Sequence, residues 1–178
     1  LKIKPEFPKP KKIKSEPIDL SEELLNMNKN PFNISKREEL QNEYLDKIIS
    51  ELDKNKRVLC VAPTGFGKTR IFYNLIGKKH YLRIIIFTPR RILNKQTISS
   101  KYSDYLEHNY KFIQFNGSSE RCKSNIKKSM KEKKNVIIIS CYQSAHSLMS
   151  FLEKHMIDIV IFDEAHFIQS WENKSDNH

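Results

Sequence analysis

At 178 residues the chain is long enough for one α/β domain with a substantial core and short for two. Its longest apolar runs, Ile84–Phe87, Val136–Ile139 and Ile157–Phe162, the last broken by Asp158, fall far below the roughly 18 residues that cross a bilayer, which argues against a membrane partner. A formal net charge of +11 fits a lysine-rich solvated surface or a polyanion partner, and charge alone does not choose between them.

Residues 1–20 hold Pro5, Pro8, Pro10 and Pro17 among lysines, with no apolar periodicity. Such a basic stretch buries too little to offset its ordering entropy and reads as a disordered tail. Within it, Pro8–Lys14 (PKPKKIK) has the composition of a short basic nuclear-import signal or of a solvated linker. No apolar segment follows the first charges, which argues against a secretory signal. From Ile34 the pattern changes. Ser35 is placed to cap a helix with Glu38 at capping-box spacing, and Leu40, Tyr44, Leu45, Ile48, Ile49 and Leu52 recur at helical intervals.

Beyond that helix, short β-rich runs alternate with helical stretches. Strands are predicted at Arg57–Ala62, Arg83–Thr88, Lys111–Phe115, Asn135–Ser140 and Asp158–Phe162. Helices are predicted near Lys68–Gly77, Ile92–Leu106, Glu120–Lys133 and Gln143–His155. Each strand is nearly all apolar, as expected where both faces are covered. This rhythm predicts an α/β fold: a doubly wound, mainly parallel sheet with a helical layer on each side. The three cysteines, Cys60, Cys122 and Cys141, are too scattered for a disulfide framework or a zinc site. They point to a reducing, intracellular setting, with nucleus, cytoplasm and viral factory left open.

Of the four glycines in the chain, two fall in Ala62–Arg70 (APTGFGKTR), directly after the apolar run Val58–Val61 and at the head of a predicted helix. Gly65 and Gly67 supply positive φ and close approach of backbone to a ligand. Successive N–H groups at a helix N-terminus then form an anion nest. Lys68 adds a cation for β- and γ-phosphates, and the Thr69 hydroxyl is suited to Mg²⁺. The pattern G-x-x-x-x-G-K-[ST] would place glycine where this chain has Ala62. The remaining loop residues, Pro63, Thr64, Phe66 and Arg70, complete the candidate nucleotide cradle. The partner half is an acid at the end of another buried strand, and Ile157–Phe162 runs into Asp163-Glu164-Ala165-His166. There Asp163 is placed to hold Mg²⁺ and Glu164 to deprotonate an attacking water.

This pair of motifs resembles motifs I and II of a superfamily 2 helicase bearing a DEAH box, over roughly residues 34–171, the first RecA-like domain. Within that superfamily APTGFGKT is more similar to the motor subunits of type I and type III restriction enzymes, and to related repair and viral helicases, than to the RNA-directed DEAH group. The resemblance implies ATP and Mg²⁺ as ligands and DNA or RNA as the partner. It makes Gln41 the adenine-reading glutamine upstream of motif I. Arg37 lies four residues before it where related motors place an arginine three before. Thr88-Pro89-Arg90-Arg91 resembles motif Ia, meeting the phosphates of a tracked strand. Gly117, in Asn116–Ser119, falls where motif Ib would, although a plain turn reads equally well there. Ser140, Tyr142 and Gln143, in Ser140–His146, resemble motif Ic. His166 is implied to relay nucleotide state.

A motor of this kind has a second RecA-like domain, and neither it nor a motif III strand follows the DEAH box in this sequence; residues 172–178 are a polar end. The motif III strand belongs between the strands carrying motifs I and II, so the sheet as encoded lacks it. A fragment of a longer motor, a truncated gene or a rearranged sheet would each account for that. The reading is the ATP-binding half of a helicase or translocase, weakly active or inactive alone. The alternatives are a non-catalytic nucleic-acid-binding module and a P-loop ATPase without a nucleic-acid role.

Overall fold

The computed structural model describes residues 18–19, 34–63, 65–90, 106, 109–117, 120–152 and 155–166. Thr64, Arg91, residues 172–178, the expected helix at Ile92–Leu106 apart from Leu106, and the tail apart from Ile18–Asp19 lie outside the described residues. Among the described residues no helix is long and apolar enough to cross a membrane. Contacts divide the chain into two compact units, with the boundary between Lys68 and Thr69.

In the first unit, helix α1 (Ile34–Asn55) dominates. It starts at Ile34, so Ser35, expected as the cap, already lies in the first turn. Gln41, Tyr44, Leu45 and Ile48 are buried on one face, at the spacing that gives a helix an apolar stripe. The opposite face is solvated and carries a Lys47–Glu43 ion pair of 2.9 Å at i, i+4. The helix stops at Lys56, which sits at φ 59° and returns its N–H to Leu52 O at 2.9 Å. Strand β1 (Ile18–Asp19) pairs in parallel with β2 (Cys60–Val61), Ile18 opposite Cys60 and Asp19 opposite Val61. The predicted strand Arg57–Ala62 is thus confined to two residues, and part of the segment read as a tail is a strand. Nor is this run covered on both faces: Leu59 is 38% and Val61 40% exposed. Apolar composition marks a segment that is able to be buried, and only neighbours on both sides bury it.

The second unit carries a four-stranded, all-parallel sheet in the order β4 (Lys111–Phe115), β5 (Val136–Cys141), β3 (Arg83–Thr88), β6 (Ile159–Phe162). The central pair runs in register from Arg83 opposite Val136 to Thr88 opposite Cys141. Between strands lie α2 (Lys68–Lys78), α3 (Glu120–Lys131) and, after a 3₁₀ turn at Tyr142–Ser144, α4 (Ala145–Leu152). Alternation along the strands divides the core into two layers. Ile85, Phe87, Val136 and Ile138 face Ile126 and Met130 of α3 and Leu148 and Leu152 of α4. Ile84, Ile86, Ile137 and Ile139 face Phe72, Tyr73 and Ile76 of α2. Helices therefore cover both faces, giving the three layers expected. Each fully buried isoleucine contributes about 1.5–3 kcal/mol. At the outer position β6 is only half-buried, and Phe162 is 47% exposed.

Two local devices fix this unit. Asp158 precedes β6, and its Oδ2 accepts the N–H groups of Leu82 at 2.7 Å and Arg83 at 2.9 Å, while its own N–H donates to Arg83 O at 2.9 Å. The polar residue that interrupts an apolar run thus pins the start of β3 against β6. Helices α2 and α3 end in paired bonds without glycine: His80 N–H to Gly77 O and Tyr81 N–H to Ile76 O, then Lys133 N–H to Met130 O and Lys134 N–H to Ser129 O. His80 and Lys133 occupy the left-handed position at φ 51° and 52°.

Candidate functional site

The loop at the head of α2 is built against α1. Residues 37 and 41 share a face of that helix, one turn apart. The Arg37 guanidinium donates to Gly65 O, and Gln41 Nε2 donates to Phe66 O at 2.5 Å. Two consecutive loop carbonyls are therefore held by one helix face. In a trans peptide the N–H points opposite to the preceding carbonyl. With Phe66 O facing Gln41, the Gly67 N–H is turned away from α1. The Phe66 N–H closes a turn onto Pro63 O at 3.2 Å, and Phe66 packs edge-on to Tyr44 at 5.8 Å between ring centroids. Lys68 Nζ reaches back to Ala62 O at 3.4 Å.

Both loop glycines are required, for different reasons. Gly65 has φ 81° and open space where a Cβ would stand. Gly67 has φ 96°, and a Cβ there would lie 2.5 Å from Gln41 Nε2. The Gln41 amide is oriented by the carbonyl it serves, which leaves Oε1 buried and without a hydrogen-bond partner. Burial pushes the Cys60 thiol, just before the loop, above its ordinary value, and the Lys68 cation offsets part of that rise. Thr69 and Arg70, both half-buried, complete the first turn of α2.

A second group of candidate residues meets at the C-terminal rim of the four-stranded sheet. Parallel strands end together, so Thr88, Cys141 and Phe162 fall on one edge, with Phe87 opposite both Ser140 and Phe162. Thr88 and Ser140 are fully buried. Their hydroxyls donate to Arg90 O and Phe115 O, each at 3.1 Å. The Thr88 hydroxyl thus holds the turn that follows β3, and the Ser140 hydroxyl holds the end of β4. Arg90 and Gln143 are exposed and Pro89 is half-buried. Gly117, after β4, has φ 94°, and a Cβ would find Ser144 Oγ no nearer than 4.0 Å, so it serves the turn through its conformation.

The acidic pair follows β6 directly. The Asp163 N–H donates to Phe87 O at 2.9 Å, and its carbonyl accepts the Tyr142 hydroxyl at 2.5 Å. Glu164 stands at φ 56°, and its Oε2 lies 3.4 Å from His166 Nδ1. Phe87, Tyr142 and Phe162, one ring from each neighbouring strand end, stack with centroids 5.4–6.4 Å apart. Burial first, and then the Asp163 and Glu164 carboxylates, push the Tyr142 phenol up, so it stays a donor across physiological pH. Sequence patterns did not reveal this link, because periodicity carries no information on which side chain crosses to which strand end.

A family model described as type III restriction enzyme, res subunit, matches residues 34–176. No curated protein matches the chain.

Proposed function

We propose a function from one fact of membership: this chain belongs to the type III restriction enzyme, res subunit, family and so carries an ATP-binding, helicase-like domain. The finer reading is that Asp163–His166 act as a DEAH box in an ATP-dependent translocase or helicase on DNA or RNA. The observation that carries the ATP site is Gln41. Its nitrogen is committed to Phe66 O and its oxygen is buried without a partner. An acceptor left in that state costs about 1–3 kcal/mol, which a ligand donor such as the adenine N6 amine recovers. Gly67, where a side chain would displace that amide, supports the same cradle.

In this reading the amides of Gly65 and Gly67 and the Lys68 ammonium take the phosphates of ATP, with Pro63, Thr64, Phe66, Arg70 and Arg37 shaping the loop. The Thr69 hydroxyl and the Asp163 carboxylate hold Mg²⁺, which neutralises charge on the phosphate oxygens when bound. Glu164 accepts the proton of the attacking water, and His166 holds the Glu164 carboxylate. Pro89, Arg90, Arg91, Gly117 and Gln143, on backbone supported by Thr88, Ser140 and Tyr142, meet a nucleic-acid strand. The domain spans 34–171, acting in the cell interior and completed by a second RecA-like partner.

Titration of fluorescent ATP with Mg²⁺ into the folded chain tests the proposal. Saturable binding is expected, weakened tenfold or more by Lys68→Ala, with preference over GTP lost in Gln41→Ala. A folded chain that leaves ATP unbound would overturn it.

A further inference from the structure

The backbone around Glu164 is held in a conformation its sequence does not favour. A glutamate at φ 56° is in the left-handed region, where L side chains are uncommon, and such residues persist only where the surroundings over-determine them. Two ties hold the residue immediately before it. The Asp163 N–H is bonded to Phe87 O in β3, and the Asp163 carbonyl is bonded to the Tyr142 hydroxyl. The second tie is a side chain from the 3₁₀ turn Tyr142–Ser144, which follows β5. The ring of Tyr142 lies nearly parallel to that of Phe162, at 8°, and at 24° to that of Phe87, so stacking sets its plane and aims the hydroxyl.

We propose that Tyr142 is a positioning residue: its hydroxyl fixes the Asp163 carbonyl and so keeps Glu164 in its left-handed turn. The Tyr142–Ser144 turn thereby governs the placement of the Glu164 carboxylate. Gln143 sits in the same turn and is exposed. The inference rests on the reading of Glu164 as the proton acceptor, but the tie itself is a property of the chain without ligand.

Tyr142→Phe in the full chain keeps the stacked rings and removes only the hydroxyl. Amide hydrogen exchange is followed on the peptide covering Ile159–His166, together with steady-state ATP turnover, with Glu164→Gln as the reference for turnover that depends on that carboxylate. Exchange at Glu164 and Ala165 is expected to quicken about fivefold, the loss of one hydrogen bond, with the rest of the sheet unchanged. The kcat is expected to fall with KM for ATP unaltered. Unchanged exchange in this peptide overturns the inference whatever turnover does. Faster exchange with full Glu164-dependent turnover also overturns it, because the carboxylate is then placed by something else. If turnover is insensitive to Glu164→Gln, it does not bear on the function proposed above, which the ATP titration tests, and exchange alone decides whether the tie exists.

Discussion

Replacing either loop glycine with alanine separates two costs that the sequence presents as one. At Gly65 the alanine Cβ enters open space, so Gly65→Ala bears only the conformational cost of φ 81°, about 1–2 kcal/mol. At Gly67 the same conformational cost applies at φ 96°, and the Cβ arrives 2.5 Å from Gln41 Nε2. The Gln41 amide must move, which breaks its bond to Phe66 O and strands a buried carbonyl at a further cost of about 1–3 kcal/mol. Gly67→Ala should therefore destabilise by about 2–5 kcal/mol. In a Gln41→Ala background the obstacle is gone and the cost should drop to that of Gly65→Ala, a coupling of about 1–3 kcal/mol. Urea unfolding of the four variants and the parent at 25 °C measures all of these. Equal costs at Gly65 and Gly67, or additive effects of Gly67→Ala and Gln41→Ala, would show that Gln41 does not lean on the loop.

Asp158→Ala leaves the Leu82 and Arg83 N–H groups to water and should cost about 1–3 kcal/mol, read as a lowered urea midpoint with unchanged slope. Lys133→Gly relieves a left-handed lysine and should stabilise by about 0.5–1 kcal/mol, or roughly 1–4 °C in Tm by calorimetry. Burial raises the thiols of Cys60 and Cys122 above the ordinary value of 9.0. Above that value the unfolded chain releases these protons first, so stability should fall as pH rises through the folded values, and below it the thiols add no pH dependence. Urea midpoints followed from neutral to alkaline pH, with Cys60→Ala and Cys122→Ala flattening the decline, check the sign.

Burial on both faces made part of the fold legible. Arg83–Thr88 and Lys111–Phe115 are strands residue for residue as predicted, the first because an isoleucine-rich run closed by polar residues has few other stable arrangements, the second through alternating burial of Ile113 and Phe115. Cys60–Val61 shows the limit, since composition there promised a longer strand than pairing supplies. The stretch Gln143–His155 divides into a 3₁₀ turn and the shorter helix Ala145–Leu152, with the His155 N–H closing onto Leu152 O at 2.7 Å. Helical periodicity does not mark where such a turn stops. At the loop, glycine spacing announced the backbone conformation, whereas the bond from Gln41 to Phe66 O was not legible. The hold of Arg37 on Gly65 O was not, because a spacing of four instead of three left its role open until the helix face was seen. Asp158 and Tyr142 act across strands far apart in sequence, where neither composition nor periodicity reaches.

The two central strands carry Ile84-Ile85-Ile86 against Ile137-Ile138-Ile139. A slide of one position still seats isoleucine against isoleucine, and because both faces are apolar the misalignment exposes little. The sheet interior is thus nearly mute about its own alignment. Side-chain bonds pin each of these strands to its outer neighbour instead, the Ser140 hydroxyl tying β5 to Phe115 O of β4 and the Asp158 carboxylate tying the start of β3 to β6. Asp158 leaves the ribosome after both isoleucine runs, so a nascent chain holds its stickiest segments together before the group that anchors β3 to β6 has been made.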